Sequence, residues 1–261
     1  MKKLFLPLAL AALTVSGAAA QSAFEGTWKV DFSKVAFSDK PDEYLLQDGV
    51  YTCKSCLETK APVKADGTDH PLTNFPYADT LAVKVVNDHQ IQMTTKKAGK
   101  VVGTSTLTVS PDGDTLTDNF SFTPEGSAPV KGSNESKRVA KGPPGSHAIS
   151  GSWQAKKMDL SDNGASFTYK IDGDKLTMTN PTGATFTAKM DGTEAPYKGD
   201  PGTTSVRIKL IGNDTLEETD LRDGQVMYVS RMTVGPDGKQ AKILSEDKRQ
   251  NTTASFAARK Q

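Results

Sequence analysis

Residues 80–113 read TLAVKVVNDHQIQMTTKKAGKVVGTSTLTVSPDG, and residues 205–238 read SVRIKLIGNDTLEETDLRDGQVMYVSRMTVGPDG. The two stretches align without a gap at an offset of 125 and are identical at ten of 34 positions. Average residue usage would give about two. Apolar character persists where identity does not, with Leu81, Val83 and Val85 opposite Val206, Ile208 and Leu210. The period is two, as in a strand with one buried face. Val101, Gly103, Ser105, Leu107 and Val109 fall on one face, and Thr104, Thr106 and Thr108 on the other. Val226, Tyr228, Ser230, Met232 and Val234 repeat that parity in the second copy.

Outward from this core the duplication continues at the same offset. Gly26-Thr27-Trp28 returns as Gly151-Ser152-Trp153, and Lys64-Ala65-Asp66-Gly67-Thr68 as Lys189-Met190-Asp191-Gly192-Thr193. Between the copies lies Lys141-Gly142-Pro143-Pro144-Gly145-Ser146, whose prolines and glycines cannot continue a strand ladder. The organisation expected is a leader over 1–20, one domain over 21–140, a linker over 141–148 and a second domain over 149–261. Asn87-Asp88, Ala98-Gly99, Asp172-Gly173, Asn213-Asp214 and Asp223-Gly224 punctuate the strands as turn signals. The second copy parses into nine strands, near 151–157, 166–171, 174–179, 183–190, 203–211, 214–221, 224–234, 240–247 and 253–260. Short connections make neighbours antiparallel, and closure of such a meander removes its exposed edges. The fold class expected is all-β, two tandem antiparallel up-and-down barrels.

Composition narrows function mainly by exclusion. Of 261 residues, 36% are hydrophobic and 7% aromatic, and 32 Lys+Arg face 31 Asp+Glu, so no global charge draws the chain to nucleic acid. Lys2 and Lys3, the apolar run from Leu4 to Val15 and Ala18-Ala19-Ala20 form a secretory signal with cleavage after Ala20. The apolar run is too short to span a bilayer, and no integral membrane protein is expected. A periplasmic or secreted location follows. The oligomeric state is left open.

The opening of each copy carries a resemblance. Phe24-Glu25-Gly26-Thr27-Trp28-Lys29-Val30 resembles the first strand of the calycins, the lipocalin and fatty-acid-binding-protein superfamily, and Ile149-Ser150-Gly151-Ser152-Trp153 repeats it. The chain is also similar to secreted bacterial proteins built from one or two Gly-Thr-Trp-Lys domains. The resemblance implies that Trp28 and Trp153 close their barrels beneath a basic residue of the last strand. Within each copy that partner is Lys137 or Arg138 for Trp28, and Arg259 or Lys260 for Trp153. The sequence departs from the fatty-acid-binding pattern, since Arg138-Val139-Ala140 and Arg259-Lys260-Gln261 lack the tyrosine that helps hold a fatty-acid carboxylate.

Candidate chemistry is sparse. Cys53-Lys54-Ser55-Cys56 has the spacing of a cross-link, a redox pair or half a zinc site. No helix-forming run follows it to lower a thiol pKa, so a disulfide stapling a turn is the leading reading and redox work the second. His70 and His147 read as loop histidines. Glu217, Glu218 and Asp220 share one strand, and only Glu218 and Asp220 share a face. A solvated edge is the ordinary reading of that pair; an inward Glu218 is the alternative. No Gly-x-Ser-x-Gly elbow, P-loop, dinucleotide fingerprint, His-Glu-x-x-His or EF-hand loop occurs. No cofactor, metal or catalytic residue is therefore assigned, and an enzyme is not the preferred reading. The function expected is binding of a small amphipathic molecule inside the barrels. Inward Gly103, Ser105 and Leu107 in copy one, and Tyr228, Ser230 and Met232 in copy two, are the candidate ligand contacts, with the roomier interior in copy one. The rival readings are a thiol–disulfide protein acting through Cys53 and Cys56, and an envelope interaction module.

Overall fold

The computed structural model describes residues 23–56 and 61–261, so the expected signal segment lies outside the described residues. The first copy forms β1 (Gly26–Ala36), β2 (Asp42–Gln47), β3 (Val50–Cys53), β4 (Val63–Lys64), β5 (His70–Pro71), β6 (Thr80–Asn87), β7 (Gln90–Lys97), β8 (Lys100–Val109), β9 (Thr115–Phe122) and β10 (Val130–Lys141). The second forms β11 (Gly151–Leu160), a single helical turn α1 (Asp162–Ala165), β12 (Ser166–Asp172), β13 (Lys175–Thr179), β14 (Thr185–Lys189), β15 (Asp191–Lys198), β16 (Ser205–Ile211), β17 (Thr215–Arg222), β18 (Gln225–Val234), β19 (Gln240–Asp247) and β20 (Thr252–Lys260). Strands beginning at 80, 90, 100 and 115 recur at 205, 215, 225 and 240, so the offset of 125 in sequence is an offset in structure. Ten strands appear in the second copy where nine were expected. The addition is β15, whose Asp191-Gly192-Thr193 opening reads locally as a turn and whose Pro196 discourages a strand.

All pairings are antiparallel and the strands form two ten-stranded sheets. One is a closed barrel and the other is nearly closed, ending at the two-residue strands β4 and β5. An isolated bridge from Asp66 to Lys84 lies beside this seam.

The sheets do not follow the sequence copies. Strand β1 lies between β12 and β20, inside the closed barrel whose other strands all come from the second copy. Reciprocally, β11 lies between β2 and β10 in the sheet of the first copy. Each copy thus donates its first strand to the other. The segment 141–148 separates the repeats in sequence while leaving the hydrogen-bonded sheets interleaved. The cores follow the sheets: Phe24 and Trp28 pack with Leu176, Ile208, Leu216 and Met232, whereas Ile149 and Trp153 pack with Leu46, Val83, Ile91 and Leu107. Ser150, itself buried, ties the exchange down by accepting from the Leu46 N–H at 2.9 Å.

Candidate functional site

Both tryptophans are fully buried and built alike. Trp28 Nε1 donates to the Phe24 carbonyl at 2.7 Å, and Trp153 Nε1 to the Ile149 carbonyl at 2.8 Å. Each faces a cation directly across the ladder, because opposite residues of an antiparallel pair share a face. Lys260 pairs with Trp28 and holds its Nζ 5.0 Å from the ring centroid. Arg138 pairs with Trp153, with Cζ 3.9 Å from the ring. The expected within-copy partners are therefore exchanged, for the same reason as the strands. Arg259 is one residue out of phase, exposed, and paired with Lys29; the cation of the closed barrel is Lys260. Lys137 likewise points outward and donates to Thr115 Oγ1.

The glycine of each Gly-x-Trp makes room for that cation. Gly26 and Gly151 have φ of +120° and +129°, a region in which L side chains are strained. A Cβ at Gly151 would stand 2.2 Å from the Ala140 carbonyl oxygen and 3.0 Å from Arg138 Nη1. Arg138 spends its other donors on the Ser150 and Ala148 carbonyls, at 2.9 and 2.7 Å, and on the Gly113 carbonyl. In both clusters the cation lies against the buried indole and bonds backbone carbonyls.

The interior of the closed barrel is different. A cavity of about 220 Å³ is lined by Phe167, Tyr169, Met178, Asn180, Leu216, Glu218, Ser230, Met232 and Ile243. Sequence reasoning placed Ser230 and Met232 here. Tyr228 lies apart from this lining, with the Arg249 guanidinium 4.7 Å from its ring. Alternation along β17 turns Leu216, Glu218 and Asp220 inward, while Glu217 points out to Arg231 at 2.8 Å. The ordinary reading of Glu218 and Asp220 as a solvated edge is thus overturned. Tyr169 donates its hydroxyl to Glu218 Oε2 at 3.2 Å, and Asp220 Oδ1 is buried without a hydrogen-bond partner. Burial, then the neighbouring Asp220, holds the Glu218 carboxyl well above the usual range. Burial also lifts Asp220, to about 6. No lysine or arginine offsets either shift.

In the other sheet, Gly103, Ser105 and Leu107 face inward but give up no room. A Cβ at Gly103 would meet Thr95 Oγ1 at 2.5 Å, and the Ser105 hydroxyl is bonded to Asp118. At Gly103 a neighbour's hydroxyl occupies the place a side chain would take. Phe120 lies over Gly132, where a Cβ would come within 2.4 Å of its ring; its equivalent in the second copy is Ser245, bonded to Ser230 at 3.0 Å. A second pocket, of about 500 Å³, lies where the β2–β3 and β6–β7 turns meet the linker and includes His89 and His147. His147 Nε2 is 2.7 Å from the Asn87 carbonyl oxygen.

Cys53 and Cys56 are joined, with Cα atoms 5.3 Å apart at the end of β3. Cys53 is 1% exposed, which shields one sulfur from an attacking thiolate. His70 sits at the seam with Nε2 2.9 Å from Asp66 Oδ1. Among the described residues no group of three or more His, Cys, Asp or Glu is placed to hold a metal, and no helix is long and apolar enough to cross a membrane. Sequence reasoning missed Tyr169, Phe167 and Ile243. For Tyr169 a signal existed: Tyr44 stands 125 residues before it, facing inward beside Tyr51. No protein-family model and no curated protein matches the chain.

Proposed function

We propose that the protein is an exported, non-catalytic binding protein that holds a small molecule inside the closed barrel. The observation that carries this reading is the cavity of about 220 Å³ with an apolar wall of Leu216, Met232 and Ile243 and a polar corner of Tyr169, Glu218 and Ser230. Mixed lining of this kind orients a ligand by its polar end and buries the rest. The volume equals about seven water-sized groups, so the ligand is smaller than a long acyl chain. Export is supported by Lys2, Lys3, the Leu4–Val15 run and the Ala18–Ala20 site, and a Cys53–Cys56 disulfide suits an oxidising compartment.

Native mass spectrometry of protein purified from its own host tests both parts. The chain is expected to start at Gln21 and to carry a low-mass adduct that Met232→Trp, which fills the cavity, removes. An unprocessed N-terminus would refute export. Adduct-free spectra, with no thermal shift from any small molecule tried, would refute binding.

A further inference from the structure

We propose that the ligand of the closed barrel is a small organic cation, an amine on an apolar body, with Glu218 as its counter-ion. This rests on the binding reading above and adds the charge class. The outer face of this barrel pairs acids with bases: Glu217 with Arg231, Glu194 with Arg207 and Glu246 with Lys248. On the inner face Asp247 is likewise held by Arg249, beside Tyr228, but the two inward acids of β17 have no such base. Glu218 and Asp220 are both enclosed, the one hydroxyl reaching Glu218 is that of Tyr169, and Asp220 Oδ1 has no partner at all.

Burying acids without a counter-charge costs stability, because the interior cannot replace the water they lose. An empty space beside Glu218, with apolar groups in its wall, is what a missing positive group with an apolar tail would fill. The two carboxyls bond each other; an anionic ligand would be repelled, and a neutral one would leave the pair without a counter-charge. The rings of Phe167 and Tyr169, with centroids 5.0 Å apart, border the same space and favour a cation over their faces. The titratable groups facing Glu218 are Tyr169 from β12, Tyr197 from β15 and Asp220 from its own strand; Asp200 lies further along, and Tyr228, Asp247 and Arg249 continue the same face beyond Asp220. Arg249 is already paired with Asp247, so an entering ammonium displaces a proton from the carboxyl pair, which leaves to solvent.

The test is calorimetric titration of the full-length processed protein with phenethylamine, 2-phenylethanol and phenylacetate, compounds of one shape and three charges. The amine is expected to bind at least about tenfold more tightly than the alcohol, and phenylacetate not to bind. In buffers of different ionisation enthalpy the amine should release protons from the protein and the alcohol none. Glu218→Gln should bring amine and alcohol to within about twofold of each other. Should that variant fail to fold, the proton-release measurement on the unaltered protein decides alone. Equal binding of amine and alcohol, or amine binding without proton release, would overturn the cation assignment and leave the binding reading standing. Silence from all three compounds, together with adduct-free protein from the host, would remove the binding reading itself.

Discussion

The exchange of first strands makes a prediction that no within-copy arrangement shares. Trp28 belongs by sequence to the first copy, yet it is fully buried among Leu176, Ile208 and Leu216 of the second. Trp28→Ala removes that burial, the Nε1 bond to Phe24 and the Lys260 contact together. Truncating a buried tryptophan costs about 3–5 kcal/mol, and at about 1.4 kcal/mol per tenfold that lowers amide protection by roughly two to three powers of ten. Native-state hydrogen exchange read by mass spectrometry localises the loss. Peptides covering 205–247 should lose protection, while those covering 80–122 keep theirs. Trp153→Ala should do the reverse, because its ring packs on Val83, Ile91 and Leu107. Loss confined in each case to the mutated copy's own strands would refute the exchange.

A glycine series tests the barrel ends: Gly151→Ala, where the new Cβ meets the Ala140 oxygen at 2.2 Å, should cost well over the about 1 kcal/mol of left-handed strain expected for Gly49→Ala, where nothing lies within 4 Å. Equal urea midpoints would show that the close approach is not real. The raised Glu218 and Asp220 make the folded state bind protons more tightly than the unfolded one, so their contribution is present at low pH and lost as pH rises through about 6. The melting temperature should therefore fall between about pH 5 and about pH 8, with Asp42 and Asp118, also raised by burial, adding in the same direction. The Glu218→Gln/Asp220→Asn double variant should flatten most of that slope; an unchanged slope would clear the pair of any role in it. Replacing Cys53 and Cys56 by serine should cost about 2 kcal/mol, the share of so short a loop, in chemical denaturation; a loss of function larger than that loss of stability would favour redox work instead.

Sequence periodicity carried most of the architecture. The 80–113 and 205–238 stretches predict three strands per copy at the observed positions, because each has one apolar face and turn residues at its ends. The Gly-x-Trp pattern marked the first strand of each copy correctly. What it could not mark was which sheet the strand joins: the two copies open on nearly the same side chains, so Trp28 and Trp153 satisfy either barrel, and the choice is made by chain crossing near Ser150 and Leu46. The site was half legible. Parity placed Ser230 and Met232 inward, but a carboxylate on a Thr-rich strand looks solvated until its partners on β12 and β18 are known. Residue size misled in the first copy, where Gly103 signals a neighbour's bulk, that of Thr95, rather than space.

Laid over one another at the offset of 125, the two interiors show where the copies have parted. Tyr44 matches Tyr169 and Ser105 matches Ser230, so a tyrosine and a serine stand at the same places in both. The acids do not. The first copy places Asp42 and Asp118 where the second has Phe167 and Ile243, and the second places Glu218 and Asp220 where the first has Met93 and Thr95. In the first interior Asp118 is bonded by Ser105, and Phe120 lies over Gly132. In the second, Ser245 stands where Phe120 would be, the space stays open and Asp220 keeps an unanswered oxygen. Two differences, acids at other positions and a serine in place of an aromatic, separate the two interiors. Because β1 completes the closed barrel and β11 the other sheet, the two cannot come apart without each losing a strand.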